Sequence, residues 1–217
     1  MFIKFNRVMR EHHPVFSKDM KKIKLYIIGI AATITQAAAA QATWNVQLRS
    51  NAIYDLALCP NIGVALQHQQ WEANIDWIGA WWNHDYTHHY YSNYAIQAEI
   101  RHYLLPQEKK HYLGPHLGIY AQLATYDFEF GGTGYQATKL TDSFGVGVAY
   151  GYQIQLTQDL NLDLNAGIGF FHTQYDRYIP GKRDRNYYKT QTRNRNFIAP
   201  TKLEATLVWK LNQHHPK

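Results

Sequence analysis

Charged residues recur at alternate positions within segments that otherwise have strand character. Glu99 and Arg101 lie two residues apart, as do Lys202 and Glu204. Asp76 lies in a third such segment, at a position that alternates with apolar residues. Successive side chains of a strand point to opposite faces, so the members of each pair share a face. Charges inside a closed sheet must pair or be hydrated, because an isolated buried ion costs several kcal/mol. These five residues therefore predict a barrel-interior polar network. They do not predict a glycosidase pair, because no sugar could reach a filled interior.

A cluster of basic residues lies between residues 177 and 196, interleaved with Tyr178, Tyr187 and Tyr188. Arginine can grip a phosphate with two hydrogen bonds, so this stretch is a candidate contact for lipopolysaccharide phosphate. A solvated polar loop and a site for a polymer or protein ligand are the alternatives. The candidate residues are Arg177, Lys182, Arg183, Arg185, Arg193 and Arg195.

Other motifs carry little chemistry. His84-Asp85 and His88-His89 offer metal ligands, but no helix fixes their spacing, so we expect a polar loop and no metal. The run from Gly131 to Gly134 lacks the following lysine and helix of a phosphate loop and predicts a turn. No nucleophile–base pair can be assigned from spacing, so we expect neither a catalytic residue nor a cofactor.

The elements that position these residues are clearest between Ser143 and Gln174, where two strands flank the turn Thr157–Asp159. Large apolar residues alternate with small or polar ones along both strands. The alternation lasts longer than the 5–6 residues typical of soluble strands, and suits a tilted strand of about 9–11 residues that crosses a bilayer.

The whole chain repeats this pattern. Short connections alternate with the long loops 83–92, 129–141 and 177–196, as in outer-membrane barrels. We predict an all-β fold, an eight-stranded antiparallel up-and-down transmembrane β-barrel preceded by a signal peptide. The predicted strands cover residues 46–58, 62–67, 71–82, 93–105, 112–128, 143–156, 160–174 and 197–211.

The N-terminal region predicts a secretory leader. A basic segment from Met20 to Lys24 precedes the apolar run Leu25–Ile34, and Ala38–Ala40 provides a small-residue cleavage site. We assign residues 1–42 to an N-terminal extension plus this cleavable signal peptide and residues 43–217 to a single barrel domain. We expect translation to begin at Met20, and Met1 is the alternative start.

Charge and cysteine content limit the function classes. Residues 1–42 hold seven of the 22 basic and two of the 16 acidic residues, which leaves 15 against 14, or +1, for the rest. The excess of basic over acidic residues thus lies almost entirely in the leader and does not predict a nucleic-acid partner. Cys59 is the only cysteine, so no internal disulfide can form.

Three segments carry a family resemblance: residues 51–64, residues 126–135 and residues 200–209. In order along the chain, they resemble an uncharacterised family, domain of unknown function 3575. The resemblance implies a secreted protein of Gram-negative outer membranes and brings no catalytic residue with it.

We therefore expect an outer-membrane protein with a structural or surface-interaction role, in contact with outer-membrane lipid and open to a surface protein or polysaccharide partner. A rim-active lipid-modifying enzyme and a soluble periplasmic lipocalin-like carrier are the alternatives. The carrier would reverse the inward and outward faces.

Overall fold

Long antiparallel strands make up most of the described chain, which in this computed structural model comprises residues 4–5, 44–84, 89–105, 113–130, 132–180 and 187–211. A one-turn helix, α1 (Ala52–Leu56), and a 3-10 turn, Leu140–Asp142, interrupt them. The described strands are β1 (Lys4–Phe5), β2 (Trp44–Asn51), β3 (Asn61–His68), β4 (Trp71–His84), β5 (His89–Tyr103), β6 (Gly114–Phe130), β7 (Gly134–Ala137), β8 (Ser143–Gln155), β9 (Leu160–Pro180) and β10 (Tyr187–Lys210).

Eight of these strands close into a ring. The order is β2, β3, β4, β5, β6, β8, β9 and β10, and β10 pairs back onto β2. Every pairing is antiparallel, and each ring strand lies beside the ring strands that precede and follow it in the chain, apart from the closure. The predicted eight-stranded antiparallel up-and-down barrel is confirmed.

The barrel has a lower end, where β2 begins and β10 ends, and an upper end, where the β4–β5 and β9–β10 hairpins turn. Short β7 joins β6 to β9 at the upper end, and β1 pairs with Tyr187 and Tyr188 there. A path that goes once around the barrel through directly paired residues starts on β10 at one residue and returns to β10 at a different one. The strands are therefore staggered and tilted relative to the barrel axis. That path is Val208, Arg49, Gly63, Asp76, Gln97, Gln122, Gly145, Phe171 and Phe197.

Side chains alternate between the two faces of the barrel wall along β8 and β9. On β8, Val146 and Val148 are exposed outside, whereas Gly145 and Ala149 are buried inside. On β9, Leu164 and Ile168 point outward, and Asp163 points inward. The apolar side chains thus form the exterior, and the buried residues of the barrel are mostly polar.

The upper end differs from the sequence prediction. The predicted first strand, 46–58, stops at Asn51, because α1 follows with Asn51 Oδ1 accepting from Ile53 N at 3.0 Å. Asp55 is therefore exposed on this helix. The predicted loop 177–196 is largely strand, since β9 and β10 stay paired up to Pro180 and Tyr187. Loop 129–141 contains β7 and begins the 3-10 turn.

The predicted leader falls almost wholly outside the described residues, so the division at residue 42 and the choice of start codon stay predictions. In the described ranges, no helix combines the length and the apolar character needed to cross a membrane.

Candidate functional site: the polar interior of the barrel

Arg101 lies at the centre of the interior and contacts three acidic residues. It is directed inward by the alternation along β5, which also buries Gln97, Glu99 and Tyr103. Arg101 Nη2 donates to Glu99 Oε2 at 2.6 Å, and its Nη1 donates to Asp163 on β9. Glu72 Oε1 lies 3.7 Å from the same Nη1. A guanidinium suits this place because its planar donors reach several carboxylates at once.

Arg49 forms the second positive centre, from the inner face of β2. Its Nη1 donates to Glu72 Oε1 at 3.1 Å and its Nε to Asp76 Oδ1 at 3.3 Å. Glu72 therefore lies between the two arginines, and Tyr103 donates to its second oxygen at 2.8 Å. Asp76 enters the network through this arginine.

Lys202 forms the third positive centre, from the inner face of β10. Its Nζ donates to Glu99 Oε2 at 2.7 Å and lies 3.2 Å from Glu204 Oε2. Gln97 Nε2 donates to the other oxygen of Glu204 at 2.7 Å. The ammonium also lies 5.2 Å from the ring centroid of Tyr120, a cation–π distance.

The structure thus places all five predicted network residues on the inner face. Glu99, Arg101, Lys202 and Glu204 contact one another in a chain, and Asp76 is connected to Arg101 through Arg49 and Glu72. Sequence reasoning left His116 out, although its Nε2 lies 2.8 Å from Asp163 Oδ1. The alternation of small residues along β6 was the signal that could have identified it as inward.

The described charges of this interior do not balance. Three basic groups (Arg49, Arg101 and Lys202) face five carboxylates (Glu72, Asp76, Glu99, Asp163 and Glu204), an excess of two negative charges. His116 lies beside Asp163, where a proton on its ring would reduce that excess. Most of the charged groups are at most a few per cent exposed, so the network ties strands across the lumen and offers no entry to a substrate.

Residues at the upper rim bond to separate partners. Ser143 Oγ is fully buried and lies 2.7 Å from Thr173 Oγ1, whereas His172 Nδ1 contacts Asn196 Oδ1 at 2.5 Å. Asp127 accepts from the Tyr178 hydroxyl and, at 2.9 Å, from Gln136. These three rim residues therefore do not form a nucleophile–base–carboxylate set.

Asp127 belongs to the part of β6 that pairs with β7, above the apolar exterior. Burial raises the pKa of its carboxyl above the ordinary aspartate value, and the bonds from Tyr178 and Gln136 offset only part of that rise. The Tyr178 ring lies over Gly134, where a Cβ would come within 2.0 Å of it, so the glycine permits this contact.

The predicted basic cluster is divided by the hairpin. Arg193 and Arg195 are exposed on β10, Arg177 is half-buried on β9, and Arg193 Nε donates to Gln191 Oε1 at 2.8 Å. Lys182, Arg183 and Arg185 lie outside the described residues, as do positions 85–88 of the histidine-rich loop. Across the described ranges, no three His, Cys, Asp or Glu residues group as metal ligands.

Comparisons with known proteins give a family and a distant structural match. The crystal structure of Neisserial surface protein A is similar with a TM-score of 0.38 and 16% identity, over 77% of this chain and 97% of that chain. A TM-score below 0.5 does not establish a shared fold, so the barrel assignment rests on the strand pairings. No curated protein sequence matches the chain. The family model of the protein of unknown function DUF3575 matches residues 25–211, and the chain belongs to this family.

Proposed function

We propose that the protein is an integral outer-membrane β-barrel with a structural or surface-interaction role. The observation that carries the proposal is the distribution of polarity across the wall. Exposed apolar side chains cover the outside, and ion pairs fill the inside. A barrel dissolved in water would need the opposite arrangement, because exposing so much contiguous apolar surface is unfavourable.

The exterior has the extent expected for a bilayer. On β8 the exposed apolar residues run from Phe144 to Ile154, and on β9 from Leu164 to Phe170. At the lower end, Trp71 is exposed and its ring lies 4.7 Å from His102, and Trp209 occupies the same level on β10. Indoles at one boundary of an apolar band are typical of a membrane–water interface.

The same distribution argues against the carrier alternative. A lipocalin-like carrier needs an apolar cavity, whereas Arg49 and Arg101 are each 1% exposed and bound to carboxylates inside this barrel. Eight-stranded barrels of this kind are filled by side chains and leave no aqueous channel. The surface proposed for interaction is the upper end, where Arg193 and Arg195 are exposed on the β9–β10 hairpin.

Fractionation of cells that express the full chain, combined with heat-modifiability on a denaturing gel, tests the proposal. Recovery in the outer membrane with a mobility shift on boiling is the expected result. Recovery in the soluble periplasm would overturn it. Binding of lipopolysaccharide to the folded protein tests the surface role. If a variant with Arg193→Gln and Arg195→Gln binds lipopolysaccharide as well as the wild type does, these two arginines are not part of the binding surface.

A further inference from the structure

The inner side of the barrel wall changes its charge toward the upper end. Below, in the polar network, carboxylates outnumber basic groups by two. Above, β9 and β10 carry Arg177, Arg193 and Arg195. Arg193 and Arg195 pair with Tyr175 and Thr173, which are buried on the inner face of β9, and directly paired residues share a face. Arg177 is the next inward residue of β9 after Tyr175, so all three arginines lie on the inner side.

We call the inner side of β6, β7, β9 and β10, from the Phe171–Phe197 pair upward, the upper inner face. In the described part of the chain, its arginines have no acidic partner. Alternation along β6 directs Asp127 and Glu129 outward. Asp176 lies on the outer face of β9, where its carboxylate is 2.7 Å from the Lys189 ammonium. The acidic groups of these strands therefore leave the positive charge of the upper inner face available to an external anion.

Aromatic rings accompany the arginines on the upper inner face. The ring centroids of Phe171 and Phe197 lie 5.4 Å apart. Tyr135 contacts Phe128 at 5.3 Å and Tyr175 at 5.7 Å between ring centroids. Phe197 is 43% exposed, and the two arginines of β10 are exposed as well, so water and solutes reach this part of the face. A solvent-accessible ring next to guanidinium groups can hold a ligand by stacking and by ion pairing together.

The strand geometry spaces the three arginines evenly. Arg193 and Arg195 are two residues apart on one strand, a distance of about 7 Å between their Cα atoms. Arg177 pairs directly with Gln191 and is therefore the diagonal neighbour of Arg193, at about 7–8 Å. Gln191 Oε1 accepts from Arg193 Nε at 2.8 Å, which supports the guanidinium on this face. Such a row favours a ligand that carries anionic groups at intervals, because each group can be bound by its own guanidinium.

We propose that the upper inner face binds an acidic oligosaccharide from outside the cell, an inference that rests on the outer-membrane location proposed above. Carboxylates of successive sugar units pair with Arg193, Arg195 and Arg177. The apolar face of one sugar ring stacks on Phe197, a contact that a site for a simple inorganic anion would not need. The polar network fills the lumen below, so the ligand enters and leaves at the upper end.

Tetragalacturonate, an oligosaccharide with one carboxylate on each sugar unit, is the probe. It is titrated calorimetrically into the full chain folded in phosphatidylcholine vesicles. Its methyl ester has the same sugar units without the charge, and a tetraglutamate peptide with blocked termini has the same number of carboxylates without the sugar. We expect tetragalacturonate to bind about tenfold more tightly than either reference compound, with an affinity that falls as the salt concentration rises.

Substitutions on the two faces of the same hairpin separate the site from general charge effects. The double variant R193Q/R195Q should lower the affinity for tetragalacturonate by about tenfold or more. F197L keeps an apolar side chain but removes the ring, and should lower the affinity by about three- to tenfold. The matched control is K189Q, which removes a positive charge from the outer face of β10 and should retain the wild-type affinity.

Wild-type affinity in R193Q/R195Q, or equal binding of tetragalacturonate and its methyl ester, would overturn the site. Equally tight binding of the peptide, or wild-type affinity in F197L, would show that the face binds polyanions without recognising a sugar, and would overturn the saccharide. Heat-modifiability of every sample reports folding and insertion. A protein that shifts on boiling but does not bind tetragalacturonate contradicts the site alone, whereas a wild type without the shift contradicts the membrane location.

Discussion

Lys202 Nζ lies 2.7 Å from Glu99 Oε2, although 103 residues separate them in sequence and their strands, β10 and β5, are not neighbours in the ring. The contact therefore crosses the lumen. Arg101 donates to the same carboxylate oxygen from β5 at 2.6 Å. Opposite walls of the barrel are thus connected through one glutamate.

Glu99→Gln should destabilise the folded barrel by about 1–3 kcal/mol, because it removes the carboxylate that Arg101 and Lys202 share and leaves each cation with its other acidic partners. The measurement is urea unfolding of the protein in lipid vesicles, followed by tryptophan fluorescence. The matched control is Asp159→Asn in the exposed lower turn, expected to change the free energy of unfolding by less than about 0.5 kcal/mol. Equal effects of the two substitutions would show that the interior carboxylate is not important for stability.

Lys202→Met in the Glu99→Gln background tests whether the pair is coupled. Each single substitution removes one charge of the pair and leaves the other with its remaining partner, Glu204 for Lys202 and Arg101 for Glu99, whereas the double variant removes both charges. We expect the double variant to be more stable than the sum of the two single effects by about 0.5–3 kcal/mol. Strict additivity would mean that the contact across the lumen contributes no interaction energy.

Gly147 makes room for Tyr120 inside the barrel. A Cβ at this position would lie 2.5 Å from both the Tyr120 hydroxyl oxygen and the Ile168 carbonyl oxygen. Gly147→Ala should therefore cost about 1–3 kcal/mol in the same unfolding measurement, since the interior is overpacked. Ala121→Val, on the exposed outer face of β6, adds volume toward lipid and should change stability by less than about 0.5 kcal/mol. Tolerance of the alanine with no loss would indicate that Tyr120 has room to move.

The barrel could be predicted from sequence because its alternation is local. From Phe144 to Ile154, large apolar residues occupy every second position, and successive side chains of a pleated strand point to opposite faces. The local sequence alone therefore indicates which side chains point outward. The inward placement of Glu99 and Lys202 follows in the same way. Their mutual contact does not, because it depends on which strands meet across the lumen at which height, a property of the stagger of the closed ring.

The secondary structure of the upper end could not be predicted, because the interactions that favour a strand, a helical turn or a loop there are of similar strength. The segment after Asn51 alternates well enough for a strand, yet the capping bond to Ile53 and the Asp55 bonds to Ser50 and Asn61 stabilise a helical turn. The polar residues of the last hairpin were typical of a loop. They are strand because each added antiparallel pair supplies further backbone hydrogen bonds to an existing ladder.

Val148→Arg places a charge on the outward face of β8 near the middle of the apolar band, where Val148 is 56% exposed. If that face contacts lipid, the substitution should cost about 2–4 kcal/mol in vesicles. Gln174→Arg, exposed on β9 above Phe170, should cost no more than about 1 kcal/mol, because it lies at or beyond the interface. If neither substitution changes the free energy of unfolding, the exterior of the barrel faces water and not lipid.

Asp127, above the apolar band, should make stability depend on pH. Burial raises the pKa of its carboxyl in the folded state, so the folded protein retains the proton more strongly than the unfolded chain does. Its contribution to stability is fully present below the unfolded pKa and is lost as pH rises through the folded pKa. The stability of wild type relative to Asp127→Asn, which cannot titrate, should therefore fall with rising pH.

Tyr178→Phe extends the test, because the Tyr178 hydroxyl donates to the carboxylate and so lowers its pKa. Removing that donor should move the midpoint of Asp127, followed by carbonyl carbon shifts in NMR spectra of the folded protein, to higher pH. The loss of stability with pH should shift in the same direction. A midpoint in the ordinary aspartate range in wild type, unmoved by Tyr178→Phe, would mean that water reaches this carboxyl despite the packing of β6, β7 and β9 around it.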